Sequence, residues 1–473
     1  MSKVKPQQIP EITITRVDSR GRGRGSWNDR DVALFGALTG ERVAAWARGK
    51  RRSVVQAEVT QILSSTVQRR TARCAHFGEC GGCTVQQLPY HAQLQLKHAM
   101  VAAAFAEAAS DASVSWPQID AVVPAEAEFA YRNKLEFSFG AQRWLTAAEL
   151  ASDDVIADRR GFGFHAPGRF DRVLDIRECH LGGDVSEAIR AWVRDYTMSR
   201  ELAFYDAREH RGFLRQLMVR TNRRGEALVL LVTTSGHAEL RNDLLDRLAA
   251  AHPAITSLWW AENDAVSDSL YALQPVLHRG APAITERCDG LELELGPTSF
   301  YQTNPAQAET LYALAIEAAD LRPNHTVLDL YCGIGSIGLL LAPQVRRVIG
   351  VETVAAAVAA AQSNAVRAGI DNAEFYVGEV ERELPALVAR SGAPDRVVVD
   401  PPRAGLHPKA RRALCDLAAE RIVYVSCNPR SQAVDLVELT ERYRVVKLQP
   451  VDMFPQTRHI ECIAVLERKD AMR

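Results

Sequence analysis

Cys427 lies in Ser426-Cys427-Asn428-Pro429, directly after the apolar run Arg421–Val425. That run predicts a buried strand, and Asn-Pro predicts a turn. A thiol is thereby delivered to a strand end beside a loop, where the active sites of open α/β sheets lie. Two further segments predict strands ending at the same edge. Arg396–Asp400, followed by Pro401-Pro402, closes in an acid, and Val327–Tyr331 runs into the Gly-rich turn Cys332-Gly333-Ile334-Gly335. A thiol, an acid and a nucleotide-type loop together point to covalent chemistry beside a nucleoside cofactor.

Such a set suits methylation of a pyrimidine at C5, a poor nucleophile until a thiolate adds to C6. The chemistry needs one thiol, one base and one methyl donor. Cys427 supplies the thiol. The prolines after Asp400 hold it extended and aim its carboxylate outward. Among the candidate bases of Val451–Glu461, Glu461 opens the last apolar strand, where burial raises a carboxyl toward general-base strength. His459 reads as an orienting or surface residue, and Arg403 as a phosphate contact or a loop pin. Cys288, Cys332, Cys415 and Cys462 read as structural thiols. In the Gly-rich turn, Glu352 at the next strand's end can accept from ribose hydroxyls. The turn is no Walker A, lacking Gly-Lys-Ser/Thr, and its glycines start later than in the dinucleotide fingerprint.

Cys74, Cys80 and Cys83 lie within one short Gly-containing loop, and Cys179 is the only other cysteine before Cys288. Four thiolates suit zinc or a [4Fe–4S] cluster, and spacing alone does not separate the two. The Cys-x3-Cys-x2-Cys spacing of radical enzymes is absent.

The elements that position these groups fall into three expected regions. Residues 9–63 alternate short apolar runs with turns, including Arg20–Gly25, and predict a small β-barrel of four or five strands. Residues 72–285 mix a helix from Leu88 to about Ser110 with strand-like stretches, predicting an α+β domain on an antiparallel sheet. Residues 286–473 alternate strands and helices, predicting a mostly parallel, doubly wound sheet with strands at 326–331, 347–352, 374–378, 396–400, 421–426, 444–451 and 460–467. The 473 residues are 47% apolar and 24% charged, as in an ordinary globular chain. Net charge is only −1, yet residues 1–73 hold 15 Lys+Arg against 6 Asp+Glu, a balance of +9 that leaves −10 for the rest. A basic module on an acidic body fits polyanion binding. No apolar stretch reaches membrane-span length, and residues 1–20 lack a signal-type apolar core, so a cytoplasmic chain without a membrane partner is expected. The nine cysteines then serve as thiols, ligands or catalysts rather than disulfides.

Five motifs in order are Phe300–Asn304, Asp329–Gly335, Asp400–Arg403, Ser426–Pro429 and Asp452–Glu461. On them the chain resembles the RumA/TrmA RNA (uracil-5)-methyltransferases along nearly its whole length. The resemblance implies three parts: an OB-like TRAM barrel at 9–63, a central α+β domain carrying an iron–sulfur cluster, and a C-terminal Rossmann-like class I methyltransferase using S-adenosylmethionine. It implies Cys427 as nucleophile and Glu461 as base, with cofactor contacts from Gln302, Tyr331, Glu352 and Asp400, and further ones from Ser336 and Glu379. It implies a [4Fe–4S] cluster on Cys74, Cys80, Cys83 and Cys179, and RNA contacts at Tyr131–Lys134. The barrel and cysteines favour 23S rRNA as substrate, with an extruded uridine; a monomer with no DNA partner is expected. The alternatives are a tRNA uridine-5 methyltransferase, a cytosine-5 enzyme, or an RNA-binding protein whose methyltransferase domain is inactive.

Overall fold

A computed structural model describes residues 7–110, 114–153 and 155–469; positions 470–473 of the expected C-terminal region lie outside it. Among the described residues there are three large sheets and one two-stranded hairpin, Ile284–Cys288 with Leu291–Leu295.

The C-terminal sheet positions the motifs. Its strands are β1 (Thr326–Leu330), β2 (Arg347–Glu352), β3 (Ala373–Val377), β4 (Arg396–Val399), β5 (Arg421–Ser426), β6 (Tyr443–Val451) and β7 (Glu461–Arg468). They run in the order β3-β2-β1-β4-β5-β7-β6. β1 to β5 are parallel, and β7 inserts antiparallel between β5 and β6. Both faces are covered, so the strands read as continuous apolar runs. Val327, Val348, Val398 and Val423 pack to one side, while Leu328, Ile349, Val397, Val399 and Ile422 pack to the other. This is a Rossmann-like sheet, with the motif loops at the carboxyl ends of β1, β4 and β5.

The middle sheet departs from the antiparallel expectation. Its order is 276–280, 255–262, 227–233, 214–221, 134–140, 161–165, 173–175. Ala227–Thr233 and Ile255–Glu262 pair in parallel, because helix Ala238–Ala251 carries the chain back across the sheet between them. The outer strands Val276–Gly280 and Val173–Asp175 were not expected; the first is mostly exposed and the second is only three residues long.

The N-terminal sheet has six strands rather than four or five, and Gln7–Thr13 at one end also meets Gly23–Trp27. Ile9, Ile12, Val32, Leu34, Val43 and Val55 fill its core. Two short strands were not expected, Arg16–Val17 and Gly23–Trp27; the second takes in the back half of the Arg-Gly run, whose front half turns as sequence reads it. A Cβ on Gly25 would lie 2.4 Å from the Thr13 carbonyl oxygen, so this glycine serves close strand approach.

Helix Tyr90–Ala109 packs on the helix Pro429–Leu439 that follows the Cys427 turn. It carries Lys97, wholly buried, with Nζ 2.5 Å from Asp452 Oδ1 and 3.0 Å from the Phe454 carbonyl. Tyr90 Oη donates to Asp452 Oδ2 at 3.1 Å, and Phe454 N to Oδ1 at 3.0 Å. Removing one member of a buried pair leaves an uncompensated charge. Lys97→Met should therefore lower stability by about 3–5 kcal/mol, read from denaturant midpoints, and Lys97→Met with Asp452→Leu should recover much of that loss.

Candidate active site

The loop after β1 is held by its own acids. Asp329, fully buried within β1, accepts from Gly338 N at 2.8 Å. A Cβ at Gly338 would sit 2.7 Å from that carboxylate, so only glycine lets the helix Ser336–Leu341 start there. Tyr331 takes a left-handed backbone (φ 63°), a strained state that concentrates at ligand sites. Its N–H and that of Cys332 both donate to the Val351 carbonyl, at 2.9 and 3.2 Å.

Glu352 ends β2 beneath this loop. Its Oε2 accepts from Gly333 N at 3.2 Å, and Oε1 from Thr353 Oγ1 and Val354 N at 3.0 and 2.9 Å. It therefore fixes the loop, and Oε2, which accepts only once, keeps a lone pair toward a ligand. Asp400, immediately after β4, donates its N–H to the Leu330 carbonyl at 3.2 Å, so it stands beside the end of β1. Burial raises Asp400 to about 7. Burial also raises Asp329 to about 7, with Asp400 and Glu352 adding to the shift. Carboxylates gathered at a desolvated strand edge fit a ligand that brings positive charge and hydroxyl donors.

Gln302 is buried in the segment that leads to helix Pro305–Ala318. Asn304 caps that helix through Gln307 N at 3.2 Å and donates to the Met453 carbonyl at 3.1 Å. Ser336 is buried at the start of its helix and bonded to Tyr312. Glu379 is exposed and ion-paired with Arg382 at 2.8 Å.

The thiol and the acid meet through strand register. Ser426 on β5 pairs with Cys462 on β7, which sets Cys427 and Glu461 at facing positions at the same end of the two strands. Burial pushes the half-buried Cys427 thiol up to about 12, with Glu461 and Asp400 raising it and Arg403 lowering it. Glu461, 3% exposed, is raised well above the usual carboxyl range by burial and by Asp400, and lowered by Arg403. The three groups thus feel one another, and Arg403 is their shared counter-charge. The turn is fixed in detail. Asn428 N donates to Ser426 Oγ at 3.1 Å, and Asn428 Nδ2 and Ser431 Oγ donate to the Arg403 carbonyl at 2.8 and 3.1 Å. Arg403 Nη2 donates to His459 Nδ1 at 2.8 Å. His459 is exposed at the rim, but desolvation on its inner side and the cations Arg403, Lys97, Arg132 and Arg458 push it down to about 4. It is a neutral acceptor that orients Arg403.

The segment before Glu461 is gripped by Lys97 and Gln93, which sequence reading missed, and by Tyr131, which it gave only as an RNA contact. Besides the Lys97–Asp452 pair, Gln456 (φ 68°) exchanges bonds with Gln93 at 2.9 and 3.0 Å, and Tyr131 Oη donates to the Pro455 carbonyl at 2.9 Å. The one signal available was an acid beside Met-Phe-Pro, with no hint of its partner.

Cys74, Cys80, Cys83 and Cys179 converge. Burial raises all four thiols, Cys80 to about 11 and Cys83 to about 12, and charge on Cys179 would raise each of the other three. Among the described residues no group of three or more His, Cys, Asp or Glu stands at metal-holding spacing. The loop is far from the catalytic motifs in sequence but touches them in space. Thr84 and Val85 donate backbone N–H to the Gln456 carbonyl at 2.9 and 3.1 Å, and Arg458 N donates to Thr84 Oγ1 at 3.1 Å.

Comparison with known proteins supplies a context. The family model described as tRNA (Uracil-5-)-methyltransferase matches residues 291–469. An uncharacterized RNA methyltransferase of Porphyromonas gingivalis is 40% identical over 97% of this chain and 99% of its own length. One from Bacteroides thetaiotaomicron is 37% identical over 95% of this chain and 99% of its own. The solved structure of the Pyrococcus abyssi tRNA (uracil-54, C5)-methyltransferase in complex with S-adenosyl-L-homocysteine superposes with a TM-score of 0.70 at 26% identity, covering 96% of this chain and all of that one.

Proposed function

The chain belongs to the RNA (uracil-5-)-methyltransferase family, S-adenosylmethionine-dependent enzymes, and on that premise we propose that it methylates C5 of a uridine in 23S rRNA through Cys427 and Glu461. The observation that carries the reading is the β5–β7 register, which faces the thiol with the buried carboxyl beside Asp400.

Cys427 Sγ bonds to uracil C6 as the thiol proton leaves for solvent, and the C5=C6 electron pair moves into an enolate. S-adenosylmethionine supplies an electrophilic methyl carbon on a sulfonium. Once C5 carries the methyl, whose C–S electron pair would stay on the donor's sulfur as S-adenosylhomocysteine leaves, ionised Glu461 removes the C5 proton and the returning electron pair expels Cys427 as thiolate. Tyr331, Glu352, Asp400 and Gln302 hold the donor, with the acids meeting its hydroxyls and positive charge. Cys427 and Glu461 must both be deprotonated, and both are raised in the folded protein. The expected kcat/KM therefore rises as pH moves from neutral toward the thiol's value of about 12, and a pH–rate series checks it.

Cys74, Cys80, Cys83 and Cys179 are the residues that would hold a [4Fe–4S] cluster: four thiols are the right donor chemistry, though they do not stand at metal-holding spacing here. Closing that loop would brace Gln456 and the segment leading to Glu461. The basic N-terminal sheet, read as a TRAM module, would carry RNA.

A specific observation favours a second substrate. The Pyrococcus abyssi tRNA (uracil-54, C5)-methyltransferase matches 96% of this chain, so the N-terminal sheet and cysteine loop do not by themselves select ribosomal RNA. Mass mapping of methylated nucleosides in ribosomal and transfer RNA, from cells with and without this protein, decides. Loss of 5-methyluridine from 23S rRNA is expected; loss from tRNA instead supports the second reading, and loss of 5-methylcytidine rejects both.

A further inference from the structure

A cavity of about 350 Å³ lies between the middle sheet and helix Pro305–Ala318, lined in part by Arg132, Asn133, Asn222, Glu286, Asn304 and Gln307. Cys427, Glu461, Asp400 and Glu352 are not among its lining residues. Most of its polar side chains are already spent. Asn222 donates to Glu226 and Thr285 and accepts from Arg224 and Glu226; Asn304 caps its helix and holds Met453; Gln307 donates to the Pro124 carbonyl at 3.1 Å.

Two buried side chains are not spent. Among the described residues, Asn133, 7% exposed, has no hydrogen-bond partner on either Nδ2 or Oδ1, and Glu286, 0% exposed, has none on Oε2. Arg132 Nε, beside them, is also without one. A buried polar group left unpaired is costly, and native structures leave few of them. An amide with donor and acceptor both open matches the paired donor and acceptor on a nucleobase edge.

Resting on the RNA methyltransferase reading, we propose that this cavity takes a second nucleobase of the RNA, extruded from the same loop as the target uridine. Its size suits a base-scale ligand, and single-stranded RNA is read by splaying bases into such pockets. The neighbouring cavity of about 260 Å³ shares Arg132 and adds Phe300 and the ion pair of Lys134 with Glu136, so Arg132 is the cation placed between the two cavities for an intervening phosphate. The site is rigidly coupled to the reaction centre. Asn133 N donates to the Thr303 carbonyl at 2.9 Å, next to Gln302, and Asn304 ties the same segment to Met453. A base seated here would fix how far the target uridine reaches toward Cys427.

The test uses the full-length protein and a stem-loop RNA around the mapped uridine, with each flanking nucleotide made abasic in turn. One abasic position should lower kcat/KM by about tenfold or more. Asn133→Ala should cause a similar loss on intact RNA, and the two changes together should add nothing further. Glu286→Gln is the second variant, and S-adenosylhomocysteine binding should be unchanged in both. Should Asn133→Ala lose that binding, Glu286→Gln carries the cycle. If no abasic position matters, or if its penalty adds fully to that of the variants, the cavity holds only water and the proposal falls. If the unaltered protein methylates no RNA, it is the functional reading that fails instead.

Discussion

Cys427→Ala should lower methyl transfer by at least about 10⁴-fold, the scale on which loss of a covalent nucleophile acts elsewhere. Cys427 is half-buried and its Sγ packs no core cluster, so the variant should melt as the unaltered protein does. RNA binding should persist, because the basic N-terminal sheet and Arg132 are untouched. The paired readout, turnover lost and binding kept, separates an enzyme from an RNA-binding protein with an idle methyltransferase domain. Retained turnover would mean that C5 is activated without sulfur.

Glu461→Gln should act later in the same reaction. The amide keeps the shape of a buried side chain and removes its capacity to take the C5 proton. Turnover should fall by about 10²–10⁴-fold, the usual contribution of a positioned base. Unlike Cys427→Ala, this variant should still form the sulfur–carbon bond and still consume one methyl group, so protein–RNA adduct should accumulate during the reaction and survive denaturing gel electrophoresis. If Glu461→Gln accumulates no adduct and turns over normally, the base lies elsewhere. Asp400 would then be the next candidate, since it neighbours both groups and is raised to about 7 by burial.

The catalytic sheet was legible because parallel strands covered on both faces are written as unbroken apolar runs. The strands expected at 347–352 and 421–426 occur with those bounds, and the others shift by one residue at one end or both. Facing of Cys427 and Glu461 was not legible, because it depends on β7 entering antiparallel beside β5, a pairing across the intervening β6. The back half of the Arg-Gly run misled for a related reason: glycine marks either a turn or a close strand approach, and only the partner strand tells which. The Lys97–Asp452 pair joins residues 355 positions apart, and local periodicity carries no signal for such a contact. The thiol loop was found by residue type alone, yet its contact with Gln456 required the fold.

RNA in which the target uridine is replaced by 5-fluorouridine offers the most direct measurement. Fluorine cannot leave as a proton does, so the account predicts a stable complex of protein, RNA and transferred methyl group. Peptide mass mapping should place the attached nucleotide on Cys427 Sγ. A 5-fluorouridine RNA that is bound and methylated normally in the unmodified form yet yields no adduct, or an adduct on another residue, would contradict it.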